Sequence, residues 1–175
     1  TVLCSAIEHD AVRNPVGFVG GTTVAVDTRG VLDLDALGDA LTPDGTLLAL
    51  MAANNEIGVV QPVAEAAELV RRRAPGAVVH TDAVQAASWL DLRATIAGAD
   101  LVAVSSHKVG GPQGVGALIA RPGTPLRPLL LGGGQERELR SGTHNVAGIV
   151  GMAAALQAAA AERDTTAARV GGLRD

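Results

Sequence analysis

Ser105-Ser106-His107-Lys108 runs directly into Val109-Gly110-Gly111-Pro112. The lysine stands just beyond an apolar run, Asp100-Leu101-Val102-Ala103-Val104, that reads as a buried strand. A lysine at a strand end, among small and hydroxyl residues, has little packing purpose. It has a chemical one: an amine held in a partly dry site can lose its proton and form a Schiff base with a carbonyl. The glycines and proline that follow stop a helix and let backbone pass close to a planar ligand. These residues make Lys108 the candidate anchor of pyridoxal phosphate.

Asp82 follows a second apolar run, in His80-Thr81-Asp82-Ala83-Val84-Gln85. A carboxylate at the carboxyl end of a parallel strand faces the crevice where α/β sheets bind ligands. Opposite a pyridine nitrogen it would keep that nitrogen protonated, making the ring an electron sink. Gln85, three residues on, could hydrogen-bond the ring's phenolate oxygen. The competing role for Asp82 is to cap a helix from Ala83 onward. Asn54-Asn55-Glu56-Ile57-Gly58 also follows a strand-like run. Paired asparagines suit a turn, but an amide donor here would join Asp82 and Lys108 at neighbouring strand ends. His9, in Glu8-His9-Asp10-Ala11-Val12, could stack on a planar cofactor and shuttle protons, or simply be a surface histidine. Ser105 and His107 alternate before the lysine and suit a phosphate.

Leu131-Gly132-Gly133-Gly134-Gln135-Glu136-Arg137-Glu138-Leu139-Arg140-Ser141-Gly142-Thr143 is glycine-rich enough to cradle an anion. It lacks the Walker lysine, and G-x-G-x-x-G spacing is absent, which argues against a nucleotide module. Thr143 stands where it could cap the helix expected from Asn145 or touch a phosphate, even across a dimer interface. Cys4 lies inside an apolar strand and reads as a small core residue, while His80 could line either core or site.

These residues need a scaffold, and the chain alternates β-branched runs with alanine-rich helical stretches, the pattern of an α/β layer fold. The expected strands are Val2–Ile7, Thr22–Val26, Leu47–Ala52, Ala77–Thr81, Leu101–Val104 and Gly116–Ala120. The expected helices are Asp33–Leu41, Val63–Arg73 and Asn145–Arg163, with a helical turn over Asp91–Ile96. Asp33 and Pro62 read as helix starts. The polar tail after about residue 160 is expected to fray. The 175 residues read as one partial domain, cut at both ends.

With 47% hydrophobic residues the chain can bury a core, and Phe18 and Trp89 are its only aromatics, so Ala, Val and Leu must build it. A formal net charge of −4 and the lack of stacking aromatics argue against nucleic acid or acidic lipid. One cysteine excludes an internal disulfide framework, and no apolar run reaches membrane-spanning length. A cytoplasmic protein is the expectation, with no bound metal.

In order along the chain, Glu8–Val12, Asn54–Gly58, Asp82–Gln85, Ser105–Lys108 and Gly132–Thr143 resemble the cysteine desulfurases, within the pyridoxal-phosphate-dependent class V aminotransferases. The resemblance covers roughly positions 1 to 155. It implies the central part of the large domain of the type I pyridoxal-phosphate transferase fold, a three-layer α/β structure around a mostly parallel sheet. It implies that Lys108 anchors the cofactor, Asp82 pairs its ring nitrogen, and Gln85 and Asn55 hold its phenolate oxygen. His9 would stack on the ring, Ser105 and His107 would bind the phosphate, and Thr143 would reach the phosphate of a partner subunit in a homodimer. The family takes sulfur from L-cysteine, gives L-alanine, and passes an enzyme persulfide to acceptor or scaffold proteins for iron–sulfur cluster assembly or tRNA thiolation. The family's persulfide-forming loop, upstream Gly/Thr phosphate loop and substrate-gripping arginine have no counterpart here, so little or no turnover is expected from this segment alone. The alternatives are another class V enzyme, such as a selenocysteine lyase or an aminotransferase, or a non-catalytic dimerising domain.

Overall fold

Alternation of apolar strands with helices brings distant residues to one sheet edge. In the computed structural model, which describes residues 1–175, six strands form one sheet in the order β2-β1-β3-β4-β5-β6. They are β1 (Val2–Ser5), β2 (Thr22–Val24), β3 (Leu47–Ala49), β4 (Val78–Asp82), β5 (Leu101–Ser105) and β6 (Gly116–Ala120). The first five are parallel, as their helical crossovers require. Only β6 runs antiparallel, with Ser105 opposite Gly116 and Leu101 opposite Ala120. The helices are α1 (Asp10–Phe18), α2 (Leu34–Ala40), α3 (Val63–Arg73), α4 (Ala86–Trp89), α5 (Leu92–Thr95) and α6 (Val146–Arg174).

Successive strand residues point to opposite faces, and the core divides accordingly. Leu3 and Leu48 join Leu37 of α2, Val63, Ala66, Ala67 and Val70 of α3, Ala86 of α4 and Met152 of α6 in the main core. Their chain neighbours Cys4 and Ala49 turn the other way and pack with Val16 of α1. Helices thus lie on both faces, the three layers expected. The second face is the thinner one: α1 alone covers it, and Leu118 on β6 is 53% exposed.

Local chemistry sets the element ends. The Asp33 side chain accepts the N–H groups of Asp35 and Ala36, at 3.0 Å each, and starts α2 as expected. Pro62 precedes the first turn of α3. The structure adds α1, which the sequence analysis did not anticipate because Pro15 and Gly17 argue against a helix there. His9 starts it, accepting the Ala11 N–H on Nδ1 at 3.1 Å. The strands at Val2, Thr22 and Leu47 end two or three residues earlier than expected. Past Ala49, Leu50 and Ala52 still donate to the carbonyls of His80 and Asp82. The last helix runs on to Arg174 rather than stopping at Arg163. The expected fraying after about residue 160 is therefore not seen, although Thr165, Thr166, Gly171 and Gly172 make the extension a weak helix former by local propensity. No helix is long and apolar enough to cross a membrane.

Candidate functional site

Strand order reverses at β1, whose neighbours β2 and β3 lead away in opposite directions. Ligands of open α/β sheets bind beyond the carboxyl ends of strands at such a point. A cleft of about 290 Å³ opens there. The turn after β1 contributes His9 and Ala11, and the segment after β3 contributes Met51, Ala53 and Asn55. The end of β4 and its following turn give Asp82, Val84 and Gln85; β5 and the 3-10 turn after it, Ser106–Lys108, give Ser105, His107 and Lys108. Seven of the eight residues named from the sequence meet in one cleft. Thr143 is exposed in the stretch leading to α6 and does not line it.

Backbone contacts show what each side chain has left to offer. The neutral form of His9 carries its proton on Nε2, because Nδ1 accepts the Ala11 N–H. Asp82 Oδ1 accepts the Val84 N–H at 2.9 Å, an Asx-type turn, while Oδ2 has no protein partner. The competing capping role is therefore met by one oxygen alone, and α4 begins only at Ala86, after Gln85. The two asparagines divide the work. Asn54 is buried and builds the turn, accepting from Glu56 and Ile57 at 2.8 and 3.0 Å and donating to the Ile7 carbonyl at 3.0 Å. Asn55, held by that turn, is exposed into the cleft with its amide uncommitted.

Ser105 Oγ lies 2.8 Å from His107 Nδ1, so the two form one polar pair at the end of β5. Lys108 is exposed on the 3-10 turn rather than half-dry at the strand end. Its carbonyl accepts from Ser88 Oγ at 2.9 Å, tying the turn to α4. Beneath it Ser106 is fully buried, and its carbonyl accepts the N–H groups of Val109 and Gly111 at 3.1 and 2.9 Å. Gly111 has to be glycine for room: an added Cβ would fall 2.3 Å from Ser106 Oγ and 3.1 Å from Ala155 on α6.

Three further residues set the electrostatics. Glu8 is buried, and desolvation above all raises its carboxyl to about 8, with Asp82 adding to the rise and the Met51 N–H opposing it. His80 on β4 is held neutral by burial against the pull of Asp82, and it does not line the cleft. Cys4 is wholly buried, its thiol pushed up by burial and then by Glu8, so it is a core residue. Sequence reasoning missed Glu8 and Met51. Glu8 sits in a charged triplet that reads as solvated surface, and Met51 lies within the apolar run Leu47–Ala52, which reads as core.

The aminotransferase class-V family model matches residues 1–170. The chain belongs to the class-V aminotransferase family. Among curated relatives, this class-V chain is similar to the cysteine desulfurase IscS of Dictyoglomus turgidum, at 41% identity over 179 residues, covering 99% of the chain and 45% of the relative. Among solved structures, a NifS-like protein superposes with a TM-score of 0.93 at 40% identity, covering 99% of this chain and 49% of that one. SspA in complex with cysteine matches with a TM-score of 0.80 at 33% identity, covering 89% and 46%. The chain thus spans less than half the length of these relatives. The mostly parallel sheet is that of the type I pyridoxal-phosphate fold.

Class-V enzymes depend on pyridoxal phosphate, and the cleft's donor set fits it. A carboxylate oxygen without a protein partner suits a pyridinium nitrogen, two amides suit a phenolate, a hydroxyl–imidazole pair suits a phosphate, and one primary amine suits an aldehyde.

Proposed function

We propose that the protein is a pyridoxal-phosphate-dependent cysteine desulfurase, removing sulfur from L-cysteine to leave L-alanine. The observation that carries this reading is the convergence of Lys108, Asp82, Gln85, Asn55 and His9 from the ends of four strands on one cleft. The names of the curated relatives support the choice of L-cysteine within the family.

Bound pyridoxal phosphate supplies an electron sink for negative charge on the substrate carbon. The chain's own residues do the rest. Lys108 Nζ, lining the cleft, would hold the cofactor by its aldehyde and, when free, would move a proton to and from the substrate. Asp82 Oδ2, which has no protein partner, would pair with the ring nitrogen and keep it protonated by its charge. Asn55 and Gln85 would donate to the ring oxygen, and Ser105 and His107 would hold the phosphate. His9, whose Nδ1 is taken by the Ala11 N–H, would stack on the ring with its Nε2 proton free for transfer to or from substrate. Sulfur transfer needs a nucleophilic thiolate. Cys4, buried and protonated, cannot supply it, so the acceptor thiol lies outside these 175 residues.

A homodimer in which Thr143 reaches the partner's phosphate belongs to the same proposal. The segments flanking Thr143 support it, since Leu129, Leu131, Val146 and Val150 are between 63% and 95% exposed, an apolar surface that solvent does not favour. A cytoplasmic setting and sulfur-acceptor or scaffold proteins complete the reading. The test is L-cysteine-dependent formation of alanine by the full-length protein, beside a Lys108→Ala variant. Alanine from the wild type alone supports the proposal. Selenocysteine turnover with cysteine inert would move the protein to the selenocysteine lyases, and transamination without sulfur release would make it an aminotransferase.

A further inference from the structure

Glu8 has no part in the chemistry above, yet it is built into the cleft's frame. It lies in the turn between β1 and α1, immediately before His9, with its residue surface 4% exposed. Oε1 accepts the N–H of Met51 at 2.7 Å, and Oε2 has neither a hydrogen-bond partner nor solvent contact. His9 and Met51 both line the cofactor cleft. This carboxyl is therefore a side-chain tie between the turn that carries His9 and the end of β3. Asn54 supplies a second tie nearby, through the Ile7 carbonyl.

The charged groups around Glu8 offer no counter-ion. From β4 the facing group is Asp82, a like charge, and from β1 it is the Cys4 thiol. Arg13 on α1 is committed to Asp10 at 2.6 Å and makes no ion pair with Glu8. The neighbouring His9 spends Nδ1 on Ala11. A buried carboxylate with one oxygen unpaired and a second carboxylate beside it is costly, and a proton is the means left to neutralise it. The direction and size of its shift, to about 8, agree.

We propose that Glu8 is a positioning residue: as a neutral carboxylic acid it ties the His9 turn to Met51, and its ionisation loosens the cofactor cleft. The proposal rests on reading that cleft as the pyridoxal-phosphate site. If uptake needs the neutral form, apparent affinity falls by the neutral fraction, which is about one in eleven one pH unit above the midpoint.

The experiment is an absorbance titration of the full-length apoprotein with pyridoxal phosphate at about pH 6.5 and about pH 9, either side of the midpoint near 8. Wild type, Glu8→Gln and Glu8→Ala are compared. Glu8→Gln is expected to bind within about twofold of wild type at the lower pH, keeping the acceptor for Met51. Between the two pH values wild type should lose about tenfold more affinity than Glu8→Gln. Dividing one profile by the other removes every titration the two proteins share. Glu8→Ala should bind more weakly at both pH values. Parallel profiles for wild type and Glu8→Gln, or an undiminished Glu8→Ala, would overturn the proposal. The infrared difference spectrum, wild type minus Glu8→Gln, needs no cofactor. A protonated-carboxyl stretch present at the lower pH and gone at the higher supports the proposal, and its absence at the lower pH refutes it. Failure of the wild type to take up pyridoxal phosphate would instead refute the cleft reading, with the infrared band still deciding the state of Glu8.

Discussion

Replacing Gly111 by alanine presses directly on the turn that carries Lys108. The new Cβ would stand 2.3 Å from Ser106 Oγ, 3.1 Å from Ala155 Cβ and 3.2 Å from the Ser106 carbonyl oxygen. The first contact is more than an ångström inside ordinary van der Waals distance, and the other two are against backbone and a helix. Ser106 is fully buried, so its hydroxyl has little room to swing aside. Overpacking of this kind costs about 1–3 kcal/mol. Ser106 Oγ also lacks a hydrogen-bond partner, so Ser106→Ala alone should leave stability unchanged or raise it. In the double variant the shortest contact is gone while the other two remain. Denaturant unfolding of the four proteins should then show a positive coupling of about 1 kcal/mol between the two sites. Because the strained segment is the Ser106–Lys108 turn, Gly111→Ala should also slow cofactor uptake, and Ser106→Ala should partly restore it. A Gly111→Ala protein as stable as wild type, or strictly additive effects, would refute the claim that glycine is needed there for space.

Glu8 makes stability depend on pH. Its carboxyl rises from 4.5 to about 8 on folding, so the unfolded chain releases the proton first and folding loses about 1.4 kcal/mol per pH unit between those values. Below pH 4.5 Glu8→Gln and wild type should differ by a constant. The variant should then gain to about 3 kcal/mol by pH 7 and level off above pH 8, which thermal unfolding at a series of pH values reads directly. Asp82→Asn keeps an acceptor for the Val84 N–H and should fold normally. It cannot hold the ring nitrogen protonated, so the bound cofactor's absorbance should shift and alanine formation should fall by at least about a hundredfold.

The strands and the positions of the candidate residues were legible because they depend on local pattern. Leu101–Val104 is an unbroken apolar run, Asp33 stands before a helical period, and Lys108 follows a strand with glycines behind it. What escaped depends on contacts distant in sequence. The α1 helix forms despite Pro15 because Val16 packs on Cys4 and Ala49, residues that sequence reading could not bring beside it. Glu8 looks solvated until the fold lays Met51 and Asp82 against it. The division of labour between Asn54 and Asn55 is likewise invisible in the sequence, since it turns on which amide reaches the Ile7 carbonyl.

The central claim is that Lys108 anchors pyridoxal phosphate in the cleft at the ends of β1, β3, β4 and β5. Borohydride reduction of the full-length protein after incubation with pyridoxal phosphate, followed by peptide mass analysis, tests it most directly. The account predicts one phosphopyridoxyl group, on Lys108 Nζ, and none in Lys108→Ala. Folded wild-type protein with no adduct, or an adduct that persists in Lys108→Ala, would contradict it.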